Sequence, residues 1–331
     1  MPYRKLRVER PPYLFQLQLQ AGLARLASEG GLPPVPAALR HRMQDYVESV
    51  LLAENLPPKE KNIAMLMQKF SDLVALSESG KPFVYLKRHS VSLLFDVCAI
   101  QSEMYPDAPD ELVLGYTQAM MGFLLFKPDP HSIGMIGLGG GSLAKYCHRY
   151  LPRAAITVAE NDPEVIALRA HFRVPEDSER FRVLCEDGAE FVRRAPEGFD
   201  VLMVDGFDRQ GQPPQLCSQR FYDDCHAALA PDGIMVANVL GDVMETEALL
   251  DRIHRSFDGA VIVIDDADSL NKLVFACKAR LLDAPDRILR DRLWQLEATH
   301  TVKFESALRR ILLARRAGMA DGAAPVAQTR P

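Results

Sequence analysis

Two aspartates three residues apart, Asp205 and Asp208, stand in the run VDGFDRQGQPP directly after the apolar stretch FDVLM. Carboxylates at that spacing beyond a strand end can both face a cleft. One can take a proton from an attacking ammonium while the other holds a further positive group. Only a neutral amine attacks carbon, so alkyl transfer to an amine needs such a base. The same two residues also have a structural use, with Asp208 capping the next turn and Asp205 binding backbone amides. Upstream, the apolar run SIGMIG passes into Gly137, Leu138, Gly139, Gly140, Gly141 and Ser142. Glycines there let the backbone turn sharply and approach a ligand with no Cβ in the way. Glu160 ends the next apolar run, 23 residues after Gly137, where a carboxylate accepts hydrogen bonds from ribose hydroxyls. Glu186, Asp187 and Gly188 end the run after that, where Asp187 can accept from the exocyclic amine of an adenine. In register these features describe a nucleoside site; taken singly, they describe a tight turn and two helix caps. The lack of a Gly-Lys-Ser/Thr ending excludes a phosphate-binding P-loop.

Such residues need a scaffold that brings successive strand ends to one edge. From Ser132 onward SIGMIG, AITVAE, RFRVLC, FDVLMVD and GIMVANV alternate with helix-like stretches, which predicts a mostly parallel sheet wound on both sides. GAVIVID and NKLVFACK are too close for a crossover helix and should pair antiparallel. Five parallel strands plus a terminal antiparallel hairpin make an α/β, Rossmann-like domain of the class I S-adenosylmethionine methyltransferase type, expected over residues 129–280. Before it, residues 1–80 read as a helical extension, with amphipathic periods after Pro36 and after Pro57-Pro58. Residues 81–128 read as a small β-hairpin region turning near His89, then a helix from Glu111 to Phe126. Helices are expected over 281–315, and a disordered tail over 316–331, in particular from Gly318.

The net charge of −5 and pI of about 5.9 leave no basic footprint for nucleic acid, while a cationic small molecule is tolerated. Six cysteines without a CxxC pair point to a reducing compartment. Gln16, Gln18, Gln20 and Arg25 interrupt any leader-type apolar segment, and no apolar run reaches the ~20 residues of a membrane span. A soluble, cytoplasmic protein is the expectation. No metal is expected either: Cys217, Cys225 and His226 match no zinc spacing, and Asp223-Asp224 and Asp265-Asp266 read as a helix face and a hairpin turn.

From about Phe83 to Lys278 the chain resembles the spermidine synthase family of polyamine aminopropyltransferases, in its bacterial spermidine synthase-like branch. The stretches that carry the resemblance are MIGLGGGSLAKY, TVAENDPEVIAL, CEDGAEFV, FDVLMVDGFDRQGQPPQLCSQRFYDDCHAAL, PDGIMVANV and the upstream FDVCAIQSEMYPDAPDE. It implies transfer of an aminopropyl group from decarboxylated S-adenosylmethionine to a small-molecule amine. In that reading Glu160 holds the ribose with Gln101 nearby, Asp187 holds the adenine, Asp205 is the base and Asp208 binds the acceptor amine. It also implies a homodimer. Two positions depart from the family pattern. Gly140 stands where an aspartate binds the donor's amine, which leaves intact S-adenosylmethionine open as donor. Leu114 stands where a tyrosine positions the acceptor, with Tyr116 two residues later. The competing readings are therefore an S-adenosylmethionine-dependent methyltransferase on a small acceptor, and a non-catalytic nucleoside-binding or assembly protein.

Overall fold

The computed structural model describes residues 13–321 except 29–32, 34, 98, 242 and 268. It divides into two units, Met1–Gln101 and Ser102–Pro331.

The first unit holds α1 (Tyr13–Ser28), α2 (Arg40–Ala53), α3 (Glu60–Glu78), β1 (Phe83–Leu86) and β2 (Val91–Asp96), and it ends within β3 (Ala99–Met104). Ile63, Met67, Phe70 and Val74 recur at helical spacing on α3 and are buried against Tyr46, Val47 and Leu51 of α2 and Leu19 of α1. Each such side chain contributes about 1.5–3 kcal/mol of burial. β1 and β2 pair antiparallel, Phe83 opposite Leu94, and the turn near His89 is closed by Lys87 N–H donating to Ser90 O at 2.8 Å. β2 lies between β1 and β3, so the region is a three-stranded sheet.

The second unit opens differently from expectation. The helix expected over Glu111 to Phe126 is only α4 (Gly115–Met120), followed by a 3-10 turn, Met121–Leu125. Leu114 keeps an extended backbone, and the 3-10 turn is wholly buried. A Cβ on Gly122 would stand 3.3 Å from the Phe275 ring, so this segment passes too close to the sheet for an ordinary helical side chain.

The strands and helices then alternate: β4 (Ser132–Ile136), α5 (Ser142–Tyr150), β5 (Ala155–Glu160), α6 (Pro163–Ala167), β6 (Phe181–Cys185), α7 (Gly188–Arg193), β7 (Phe199–Val204), α8 (Gln219–Ala228), β8 (Leu229–Val239) and α9 (Val243–Ser256). The chain finishes with β9 (Val261–Asp265), β10 (Lys272–Cys277), α10 (Asp286–Glu297) and α11 (Glu305–Asp321). The sheet order is β6-β5-β4-β7-β8-β10-β9, with β4 to β8 parallel and β10 antiparallel to both its neighbours. This is the doubly wound sheet with a terminal hairpin expected from the alternation. Ile133, Ile136, Val158, Val201, Leu202 and Val204 are buried, as strands covered on both faces require. α11 continues to Asp321, so residues 318–321 are helical and not tail; 322–331 lie outside the described residues. Among the described residues no helix is long and apolar enough to cross a membrane.

The chain builds outward from β4 in both directions, to β5 and β6 on one side and to β7 and β8 on the other. β4 and β7 are therefore the pair at which strand order reverses, and ligands of open α/β sheets bind in the crevice beyond such a pair.

Candidate active site

The Gly-rich turn leaves β4 at that reversal. Gly137, Gly139 and Gly141 have φ of 91°, 51° and 66°, a region open to glycine and strained for other residues. A Cβ on Gly137 would lie 2.3 Å from the carbonyl oxygen of Asp205, so the β4 and β7 ends touch backbone to backbone here. Gly137 N–H donates to Ala159 O at 2.8 Å and Asp205 N–H to Ile136 O at 2.9 Å, which extends both strand pairings past their ends.

Glu160 is buried at the end of β5. Its Oε2 accepts from Leu138 N–H at 2.9 Å and its Oε1 from Asp162 N–H at 3.0 Å. The carboxylate thus shapes the turn itself while keeping lone pairs for a ligand. Asp187 caps α7, with Oδ1 accepting from Ala189 N–H at 2.8 Å and Glu190 N–H at 3.3 Å. Its Oδ2 accepts from Gln215 Nε2 at 3.1 Å. Glu186 is paired with Arg194. Gly188 is required by packing, since a Cβ would meet Ile136 Cγ2 at 2.4 Å.

Gly140 is closed in by two side chains. A Cβ there would lie 2.5 Å from Ser102 Oγ and 2.9 Å from the Phe172 ring. Ser102 Oγ also lies 3.1 Å from Ser142 Oγ, at the first residue of α5. Phe172 is held from behind by Lys145, whose buried Nζ donates to Phe172 O at 2.7 Å and whose pKa burial pushes down to about 8. Position 140 therefore has neither a carboxylate nor the space for one unless Ser102 and Phe172 move.

The two aspartates separate. Asp205 keeps some solvent contact but sits in densely packed protein, and burial pushes its pKa up. Its Oδ1 accepts from Asn238 Nδ2 at 2.9 Å and its Oδ2 from the Tyr116 hydroxyl at 3.1 Å, two neutral donors that partly offset that rise. Asp208 is exposed; its Oδ1 accepts from Gln210 N–H at 2.7 Å, and its backbone bridges to Gly211. Of the structural uses open to the pair, capping holds for Asp208, whereas Asp205 is bound by side chains and not by backbone amides. Gln101 is half-buried on β3 and is the last residue of the first unit, so the site here is built from the second unit alone.

Tyr116 is the residue whose contact with Asp205 the spacing concealed. It lies 89 positions before Asp205 and two beyond the expected place of a tyrosine, yet α4 packs on β8 and β10 and delivers its hydroxyl to the carboxylate. Burial and the neighbouring Asp205 charge raise its own pKa well above normal, so it stays a donor. Replacing Tyr116 by Phe removes a bond that favours the ionised carboxylate. The acid limb of the pH-rate profile should move to higher pH by about one unit, the worth of one charge-assisted bond, with kcat/KM lower by up to about tenfold on that limb. An unmoved limb would mean that this contact does not act on the titrating group. Asn238, buried on β8, was likewise not singled out by its position in the strand GIMVANV; a polar residue facing an otherwise apolar core is the signal that could have found it. His226 packs edge-on against Phe257, and Cys225 is buried on the same helix, which accounts for both by packing.

A family model described as spermine/spermidine synthase domain matches residues 113–266. A polyamine aminopropyltransferase of Chromobacterium violaceum is 37% identical over 213 residues, covering 64% of this chain and 82% of that protein. Among solved structures, a probable spermidine synthase from Corynebacterium glutamicum aligns with a TM-score of 0.54 at 20% identity, over 76% of this chain and 95% of that one. A spermidine synthase in complex with the transition state analogue AdoDATO aligns with a TM-score of 0.56 at 19% identity, over 74% of this chain and 89% of that one. The two structures establish a shared fold. With the fold shared and the sequence identity extending along most of a named relative, this chain belongs to the polyamine aminopropyltransferase, or spermidine synthase, family.

Proposed function

We propose that this protein transfers the aminopropyl group of decarboxylated S-adenosylmethionine to the amine of a polyamine or a related small molecule. The observation that carries the reading is Asp205: a carboxylate with a raised pKa, oriented by two neutral donors, placed beside the Gly-rich turn at the strand-order reversal. In the reaction the acceptor nitrogen attacks the aminopropyl carbon bonded to the sulfonium sulfur. The carbon–sulfur bond breaks, its electron pair stays on sulfur, and methylthioadenosine leaves. Asp205 takes the amine's proton. A sulfonium departs readily, so alignment of nitrogen, carbon and sulfur and removal of one proton are what the site must supply.

In this proposal Glu160 receives the ribose hydroxyls and Asp187 the adenine amine, each using lone pairs left by its backbone contacts. The glycines at 137, 139, 140 and 141, with Gly188, form the floor of the site, and most of them let it pack tightly on its neighbours. Asp208, on its exposed turn, meets the cationic acceptor. A cytoplasmic homodimer is part of the proposal, supported by the family resemblance and by cysteines that are free among the described residues.

The test is incubation with decarboxylated S-adenosylmethionine and putrescine, spermidine or cadaverine, with product masses measured. Methylthioadenosine and an amine heavier by one aminopropyl group are expected. S-adenosylhomocysteine from the intact donor, with no reaction of the decarboxylated one, would overturn the assignment.

A further inference from the structure

Asp205 is oriented by a side chain that is itself oriented. The two ends of an asparagine amide are nearly equal in size, so shape does not decide which end faces a neighbour; the hydrogen-bond partners do. Asn238 is 3% exposed and spends both ends, with Nδ2 donating to Asp205 Oδ1 at 2.9 Å and Oδ1 accepting from Asn271 Nδ2 at 3.0 Å. Asn271 stands at the foot of the turn between β9 and β10. Its backbone holds that turn, through Asn271 N–H to Ser269 Oγ at 3.1 Å and Asp266 N–H to Asn271 O at 2.8 Å. Ser269 Oγ donates in turn to Asp266 Oδ2 at 2.7 Å. The Asn271 amide is left to act on Asn238.

We propose that Asn271 is a positioning residue for the proton-accepting carboxylate: its amide N–H engages the Asn238 oxygen, so that Asn238 presents N–H and not C=O to Asp205. This rests on the reading of Asp205 as the base. With the orientation reversed, the Asn238 oxygen would face a carboxylate oxygen, and that contact is favourable only when Asp205 carries a proton. The terminal hairpin, 33 positions beyond Asn238, thereby sets how readily the base is ionised. Among the described residues the side chains that hydrogen-bond Asp205 are Tyr116 from α4 and Asn238 from β8, and Gly137 of the turn after β4 lies against its backbone. Asp266 of the hairpin acts by its charge on Tyr116.

The experiment is a pH-rate profile of the full-length protein with the aminopropyl donor and its best acceptor, with each variant's folding checked by thermal melting. Asn271→Asp keeps the shape but, ionised, cannot donate to Asn238. Its acid limb should move up by about one pH unit, with kcat/KM down by up to about tenfold on that limb and the donor KM little changed. Asn271→Leu, which adds no charge, should move the limb the same way by less. A new negative charge could move the limb without Asn238, so both substitutions are repeated in an Asn238→Ala background. There they should add almost nothing to the effect of Asn238→Ala, the non-additivity of residues acting in series. Full additivity, or an unmoved limb in both single variants, overturns the proposal. Asp205→Asn in the same assay separates the two ideas. If it keeps the wild-type rate and limb, the base assignment fails. If it silences the enzyme while the cycle is additive, only the role of Asn271 fails.

Discussion

Replacing Asp205 by Asn should lower kcat by about 10²–10⁴-fold, the span of general-base contributions, while raising the melting temperature at neutral pH. The two effects have one origin. Burial raises the folded-state pKa of Asp205 above its ordinary value of 3.8. The folded protein therefore holds this proton more tightly than the unfolded chain does. Stability falls as the pH rises from 3.8 through the folded value, and above that window the ionised carboxylate is a constant burden. An amide carries no such burden, keeps an oxygen for Asn238 Nδ2, and offers N–H to the Tyr116 oxygen. Melting of wild type and variant across pH checks this. The curves should converge below pH 3.8 and separate above the folded pKa, with the variant more stable. A variant that is less stable at neutral pH would show that the ionised form is favoured in the fold, and the electrostatic reading of the site would be wrong. Sites that hold a group in an unfavourable state for chemistry commonly trade stability in this way.

Gly137→Ala should combine backbone strain with a backbone clash at the head of the site. At φ of 91° any side chain is strained, and here the added Cβ would also meet the Asp205 carbonyl oxygen at 2.3 Å, a backbone atom that cannot swing aside. Backbone strain of about 1–2 kcal/mol and overpacking of about 1–3 kcal/mol combine to a loss of about 2–5 kcal/mol. That corresponds to a fall of roughly 4–20 °C in Tm for a domain of this size. Because the atom displaced belongs to Asp205, nucleoside binding and proton removal should suffer together. Gly259→Ala provides the comparison. Gly259 has φ of 75° with nothing within 4 Å of a Cβ, so it reports strain without the clash. Equal melting losses in the two variants would show that the contact between the β4 and β7 ends contributes little.

The two predictions meet at the contact between Gly137 and Asp205, and both of its halves were legible locally. The Gly-rich turn and the strand that feeds it are local features: the apolar run of β4 and the glycines that need positive φ lie within ten residues. The same is true of Glu160, Asp187 and the aspartate pair, each at the end of an apolar run whose periodicity reads directly. The alternation of runs and helical stretches was enough for the parallel sheet and its terminal hairpin. Local signals gave poorer guidance where packing overrode them, as in the segment from Glu111 to Phe126, whose apolar content reads as one long helix. Squeezed against β10, it became α4 and a 3-10 turn.

The sequence by itself determined which carboxylates reach the ligand edge of the sheet, because strand ends and glycine turns are set by neighbours a few residues away. Their spacing alone left Asp205 and Asp208 as equals, and it was the family resemblance that gave them separate roles. Only the tertiary structure set one in packed protein against Tyr116 and Asn238 and the other on an exposed turn. Those partners lie 89 and 33 positions from Asp205, and Asn271 a further 33 beyond Asn238. What brings them together is strand order, which places β8 beside β7 and lays α4 across β8 and β10. No spacing rule encodes that. A hydrogen bond specifies its partner by geometry at about 3 Å, and only the folded sheet supplies that geometry.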